Sequence, residues 1–450
     1  MKSTVLPIAL LAVILGCAPG CTAEDNSPPP PRVDQQGAPP RDGEARQKPR
    51  GSGGNPQGNR PERDKGQKYS LEQAISDRAQ LHTIAFSGLA FLTGSFACDT
   101  FLPPGKVSDY FGFQYMRDVQ PEGMGHNTDF LTRIANNVIF ILTDAQKAQL
   151  IALGKKQESQ VKALAEKRFP LIQAFCRQLA GDLPSGSAGL NKAAVVKYTS
   201  EIFALDGQLA YDRAVVCGNI LKNLTDEQKA YIARMKFADY TTWPEMDEPL
   251  DKRSMSHGTH VMVMTYASEM FSWYAGSVEA DTYFCPERHG TYFGGFYMKD
   301  APAMGQRNYT ISTSLTGNSG EQFLATLTSA QRGRVAGIVD LQRSGLQEIV
   351  KIRRAISTEL RKCMTQGKAD KASVLSLSKR YGELDGELSY YYATRFAEVG
   401  KALTSAQKAT LTKLRNLDLK PQGAFVYSEP VAVPEVGNTD SFFEVTAKSE

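Results

Sequence analysis

Leu142-Thr143-Asp144-Ala145-Gln146 and Leu224-Thr225-Asp226-Glu227-Gln228 share one pattern, and Leu327-Thr328-Ser329-Ala330-Gln331 and Leu403-Thr404-Ser405-Ala406-Gln407 repeat it. Threonine at the edge of a helix can accept a hydrogen bond from one of the free N–H groups of the first turn. A glutamine three residues later can accept in return from the threonine N–H, closing a capping box. Each motif therefore predicts a helix start at Thr143, Thr225, Thr328 or Thr404, with Gln146, Gln228, Gln331 or Gln407 as its second half. The preceding leucine lacks its usual apolar partner four residues into the helix, where Lys147, Lys229, Arg332 and Lys408 stand. These leucines are expected to pack on neighbouring helices instead.

The spacing of the motifs organises the chain. The first motifs of the two pairs are separated by 331 − 146 = 185 residues and the second motifs by 407 − 228 = 179. Tyr110-Phe111-Gly112 and Tyr115-Met116-Arg117-Asp118 recur as Tyr292-Phe293-Gly294 and Tyr297-Met298-Lys299-Asp300. Leu205-Asp206-Gly207 recurs as Leu384-Asp385-Gly386. The expected fold is mainly α, two tandem helical-bundle or hairpin domains over 69–249 and 250–430, with a C-terminal tail over 431–450. Long helices are expected after residue 327, near 190–221 and near 370–401, with further helices over 70–93 and 254–275. In the first repeat the helix after the first motif meets Pro170, where a kink or a break is expected because proline lacks the N–H and clashes with the preceding turn. The aromatic, Gly/Pro-rich segments 98–126 and 280–310 read either as plugs for the bundle ends or as an exposed protein-binding surface.

Residues 1–16 read as an export signal: Lys2, then an apolar stretch from Val5 to Ile14, then Ile14-Leu15-Gly16-Cys17. The last four resemble a bacterial lipobox, which implies lipid on Cys17. Ala18, not Asp, follows the cysteine, and by the same resemblance this points to the outer membrane. Residues 17–68 are the expected disordered tether, with nine prolines and seven glycines between 22 and 68. A segment so poor in apolar residues cannot offset its ordering entropy.

Paired L-T-x-x-Q motifs in an exported helical protein resemble the LTxxQ group of Spy- and CpxP-like periplasmic proteins. That resemblance implies long helical hairpins and, in some members, ATP-independent chaperone or envelope-stress roles, with metal binding in related ones. Members typically have one small domain and two motifs, whereas this chain has four motifs.

Composition excludes several functions. The 450 residues carry 52 basic and 48 acidic side chains, too even for a dedicated nucleic-acid binder. No phosphate loop is present, so no nucleotide is expected. His82, His126, His257, His260 and His289 lie in no nucleophile or hydrolytic-metal motif, and no enzyme activity or cofactor is expected. The recurring Asp118/Asp300 and Asp206/Asp385 read more readily as helix caps or ion pairs than as acid–base groups.

Met255, His257, His260, Met262 and Met264 form a candidate metal set, since thioether and imidazole ligands suit copper. The competing reading is core, because Met262 and Met264 alternate with Val261 and Val263. Cysteine spacing pairs Cys98 with Cys176 and Cys285 with Cys363: 176 − 98 = 78 and 363 − 285 = 78. Export favours such disulfides. Cys217 has no counterpart, position 396 being phenylalanine, and is expected to be a buried thiol.

The function these readings favour is that of a non-enzymatic envelope lipoprotein that binds proteins or unfolded clients. A copper-binding or metal-resistance protein is the second reading, and a structural component of a surface assembly the third.

Overall fold

All four motifs start helices. The computed structural model describes residues 75–93, 129–236, 242–276, 278, 319–415, 424–426 and 429–444, within one compact unit Lys65–Glu450. Cys17, Cys98, Cys285, the tether and both aromatic segments lie outside the described residues. In chain order the helices are α1 (Asp77–Thr93), α2 (Asp129–Ile141), α3 (Asp144–Glu166), α4 (Phe169–Ala180), α5 (Lys192–Lys222) and α6 (Asp226–Arg234). They continue as α7 (His257–Ala275), α8 (Ser319–Thr326), α9 (Ser329–Thr365), α10 (Lys371–Lys401) and α11 (Ser405–Arg415). A short antiparallel pair follows, β1 (Ala424–Val426) and β2 (Glu429–Val431). The chain is mainly α, and among the described residues no helix is long and apolar enough to cross a membrane.

Every capping box closes. Gln331 N–H donates to Thr328 Oγ1 at 3.3 Å, and Thr328 N–H donates to Gln331 Oε1 at 2.8 Å. The same two bonds form at Thr143/Gln146, Thr225/Gln228 and Thr404/Gln407. The motif leucines Leu142, Leu224 and Leu327 are buried, and Leu403 is half-buried. Each glutamine also has an Nε2 that its own cap does not use, and this atom reaches the other motif of its pair. Gln228 Nε2 donates to Gln146 Oε1 at 2.8 Å and to the Ile141 carbonyl at 2.7 Å. Gln407 Nε2 donates to Gln331 Oε1 and to the Thr326 carbonyl, both at 2.9 Å, and Gln331 Nε2 to the Ala402 carbonyl at 2.8 Å. The acceptor carbonyl lies two residues before the partner threonine in all three cases. The motif is thus both a helix start and a lock between two helix starts.

The first helix of each repeat packs on the other repeat. α1 lies against α8, α9, α10 and α11, and α7 lies against α2, α3, α5 and α6. Neither has one apolar stripe: α1 reads Ile84-Ala85-x-x-Gly88-Leu89-x-Phe91, and α7 carries Met262, Val263, Tyr266, Ala267, Met270 and Phe271 in its buried set. A helix apolar on all sides needs cover on all sides. Matching buried glutamines, 342 − 157 = 185, bind the exchanged helices. Gln342 donates to Gln80 of α1 at 2.8 Å and accepts from the Tyr392 hydroxyl, while Gln157 accepts from Tyr266 of α7 at 2.7 Å and donates to the Leu209 carbonyl. The described residues of both repeats therefore pack as one unit rather than two bodies, and 69–249 and 250–430 are divisions of the sequence.

α5 and α10 run antiparallel through the middle. A Cβ on Gly207 would come within 2.6 Å of Ser378 Cβ, and one on Gly386 within 2.7 Å of Thr199 Oγ1. The recurring Leu-Asp-Gly is thus a close-approach site between the repeats, which only glycine allows. Its aspartates, Asp206 and Asp385, are 3 % and 0 % exposed in mid-helix, not at caps. Arg168 and Arg353, also buried and also at matching positions, equal them in number. Charges taken out of water are costly without opposite charge nearby.

The C-terminal segment folds back on the first repeat. Asn191 N–H donates to the Phe442 carbonyl at 2.7 Å, Glu444 N–H to the Gly189 carbonyl at 2.9 Å, and Arg177 donates to Asp440 at 2.7 Å. Phe442 and Phe443 are buried.

Candidate functional site

The two repeats differ at one point that matters. α9 runs unbroken for 37 residues. Its counterpart in the first repeat stops at Glu166 and restarts at Phe169 as α4, with Pro170 in the first turn. The second repeat has Ala355 at the position matching Pro170, 185 residues on. Beside the unbroken helix, Leu384 is 3 % exposed; its counterpart Leu205 beside the break is 41 % exposed. A groove of about 700 Å³ lies between α5, the start of α10 and Lys167, which stands at the break.

Ile202, Ala204, Leu205 and Leu375 give it apolar walls, with Tyr198 and Gln208 among them. Along α5 it spans positions 198 to 208, roughly 15 Å of helix at 1.5 Å per residue. The Tyr198 hydroxyl donates to the Lys167 carbonyl at 2.7 Å, pinning the helix break to α5. The Tyr198 ring meets Phe442 edge-on at 5.0 Å, so the folded-back C-terminus braces this end. Burial pushes the Tyr198 phenol up, and the nearby Glu201 carboxylate adds to it.

Three charged side chains line the groove: Lys167, Lys379 and Glu201, all exposed. Neither lysine is ion-paired to a described residue. Several cations around it are paired: Arg380 with Glu348 and Glu383, both at 2.8 Å, Lys192 with Glu387 and Tyr391, and Lys156 with Asp212 at 3.3 Å. The described lining contains no histidine or cysteine. What it supplies is apolar area, hydrogen bonding and positive charge at the margin, which is equipment for binding.

The metal candidates stand in different surroundings. His257 is exposed at the start of α7, whereas His260 is 8 % exposed with its Nε2 against Glu248, which also pairs with Lys252. Burial pushes the Glu248 carboxyl up, but Lys252 and His260 outweigh it and hold the group below its ordinary value. Met262 lies in the core shared with Tyr266, and Met264 packs on the other cluster, around Met270 and Phe271. Met255 is half-buried before the helix. Among the described residues no group of three or more His, Cys, Asp or Glu is placed to hold a metal.

Cys176 on α4 is half-buried and Cys363 on α9 is buried, while their expected partners Cys98 and Cys285 lie outside the described residues. Cys217 is a buried free thiol, 3 % exposed, and burial, with Glu269 adding, pushes it up to about 12.

Lys167 and Lys379 carry no sequence motif, and Leu205 stands out in the sequence only as part of the recurring Leu-Asp-Gly. The signal available was the mismatch of Pro170 with Ala355, read as a break without its consequence for the helix opposite. Comparison with protein-family models, with curated proteins and with solved structures finds no match.

Proposed function

We propose that this chain is a non-enzymatic lipoprotein of the bacterial cell envelope, anchored through lipid on Cys17, which binds proteins in a chaperone-like or envelope-stress role. The observation that carries the binding part is the groove at the Pro170 break, where Leu205 stands open on a helix whose other face is locked into α10. Ligand sites are typically concave, largely apolar and preformed, with volumes of roughly 300–1,000 Å³, and the groove's 700 Å³ falls in that range. The export signal and tether support the envelope placement, and the paired LTxxQ motifs support the chaperone-like reading by resemblance alone.

The test is aggregation of a reduced, unfolding client followed by light scattering. The full-length chain is expected to suppress it at near-stoichiometric ratio, and Leu205→Asp to lose most of that effect at unchanged melting temperature. Full suppression by a stable Leu205→Asp variant, or none by the unaltered chain, would remove the groove from this role.

A further inference from the structure

We infer that the groove between α5 and α10 selects client segments in which apolar side chains alternate with carboxylates. This rests on the reading of the groove as a protein-binding site and adds the chemistry of what it takes. Two lysines, Lys167 and Lys379, and one glutamate, Glu201, line an apolar surface. Three cations on the flanking surfaces, Arg380, Lys192 and Lys156, are each matched by an acid of this chain. Lys167 and Lys379 meet no such partner among the described residues, so the described lining sets two cations against one carboxylate, Glu201, and the margin is net positive.

A segment with apolar groups set on Leu205 and Leu375 brings its flanking side chains to the margins where the lysines stand. Carboxylates there gain Coulomb attraction, and ammonium groups meet repulsion. About 15 Å of α5 accommodates roughly four or five residues of extended chain at 3.3 Å each. Discrimination by charge at a rim acts mainly on specificity and encounter rate. Exposed pairs are worth about 0.2–1 kcal/mol each, so two of them favour an acidic over a neutral segment by roughly two- to thirtyfold.

The experiment measures fluorescence anisotropy of labelled hexapeptides LDLLEL, LNLLQL and LKLLKL with the full-length chain carrying Cys17→Ser to keep it in aqueous buffer. The expected order is acidic tightest and basic weakest, with the gap narrowing as salt rises. In Lys167→Glu/Lys379→Glu the order is expected to invert, with the melting temperature unchanged because both side chains are exposed. Equal binding of all three peptides would overturn this inference and leave protein binding standing. Binding of none, together with undiminished aggregation suppression by Leu205→Asp, would overturn both. Binding of dodecanoate in place of any peptide would make the groove a lipid site and overturn the inference as well.

Discussion

The amide of Gln407 donates to the amide oxygen of Gln331 across 2.9 Å, joining two helix starts that lie 76 residues apart in the chain. Each glutamine also serves its own threonine. Replacing the threonine removes one capping bond, whereas replacing the glutamine removes its half of the box and its hold on the partner motif.

Thr328→Ala is therefore expected to cost about 1 kcal/mol, the usual loss for a cap. Gln331→Ala should cost about 2–3 kcal/mol, from several hydrogen bonds worth about 1 kcal/mol each and a partner amide left half-satisfied. In a cycle with Gln407→Ala the double variant should lose about 1 kcal/mol less than the sum of the singles. Chemical denaturation measures all three, and strict additivity would mean that the amide pair is a contact without coupling.

Gly207→Ala places a methyl against Ser378 where α5 and α10 meet. Overpacking of this kind costs about 1–3 kcal/mol. Ser378→Gly in the same chain should restore part of the loss by clearing the site. A Gly207→Ala variant as stable as the parent would show that the helices can part without penalty.

The acid limb of stability has identifiable sources. Burial pushes the Glu387 carboxyl up, but hydrogen bonds from Lys192 and Tyr391 outweigh it and hold the group below its ordinary value, as Lys252 and His260 do for Glu248. A carboxylate depressed in the folded state stabilises fully above its unfolded value, and that contribution is lost as pH falls through the folded value. These carboxylates' contribution should thus be flat between about pH 5 and 7 and decline below about pH 4.3. Glu387→Gln should make the decline shallower; a decline of equal steepness would clear Glu387 of any part in it.

Cys217 should resist maleimide at neutral pH in the native chain and react promptly in denaturant, since the thiolate is the reactive form and burial withholds it. Mass mapping of the modified peptide reads this directly. Rapid native labelling of Cys217 would mean that the packing around α5 opens far more readily than its burial implies.

Much of the helical layout was legible because its causes are local. Thr143, Thr225, Thr328 and Thr404 announce caps within five residues, Pro170 announces a break, and the apolar period over Val335, Ile338, Val339 and Leu346 announces α9. Which helix covers which was not legible. α1 and α7 are apolar all round, and such a pattern states that a helix is buried without naming its neighbours. The same holds for the site. Pro170 stood out, but the exposure of Leu205 depends on a helix that passes it only in three dimensions. His260 stands in a candidate metal set in the sequence, and its contact with Glu248, twelve residues upstream, could not be read there.

The exchange of first helices sets a timetable for the nascent chain. α1 is made early, yet among the described residues the helices it packs on begin at α8, and 319 − 93 = 226 positions separate the two. At roughly 5–20 residues per second, α1 waits roughly 10–45 s for the surface that shields it. During that interval Ile84, Leu89 and Phe91 are bare, and any factor that escorts this polypeptide must hold that stretch. Among the described helices, the earliest is therefore one of the last to be covered.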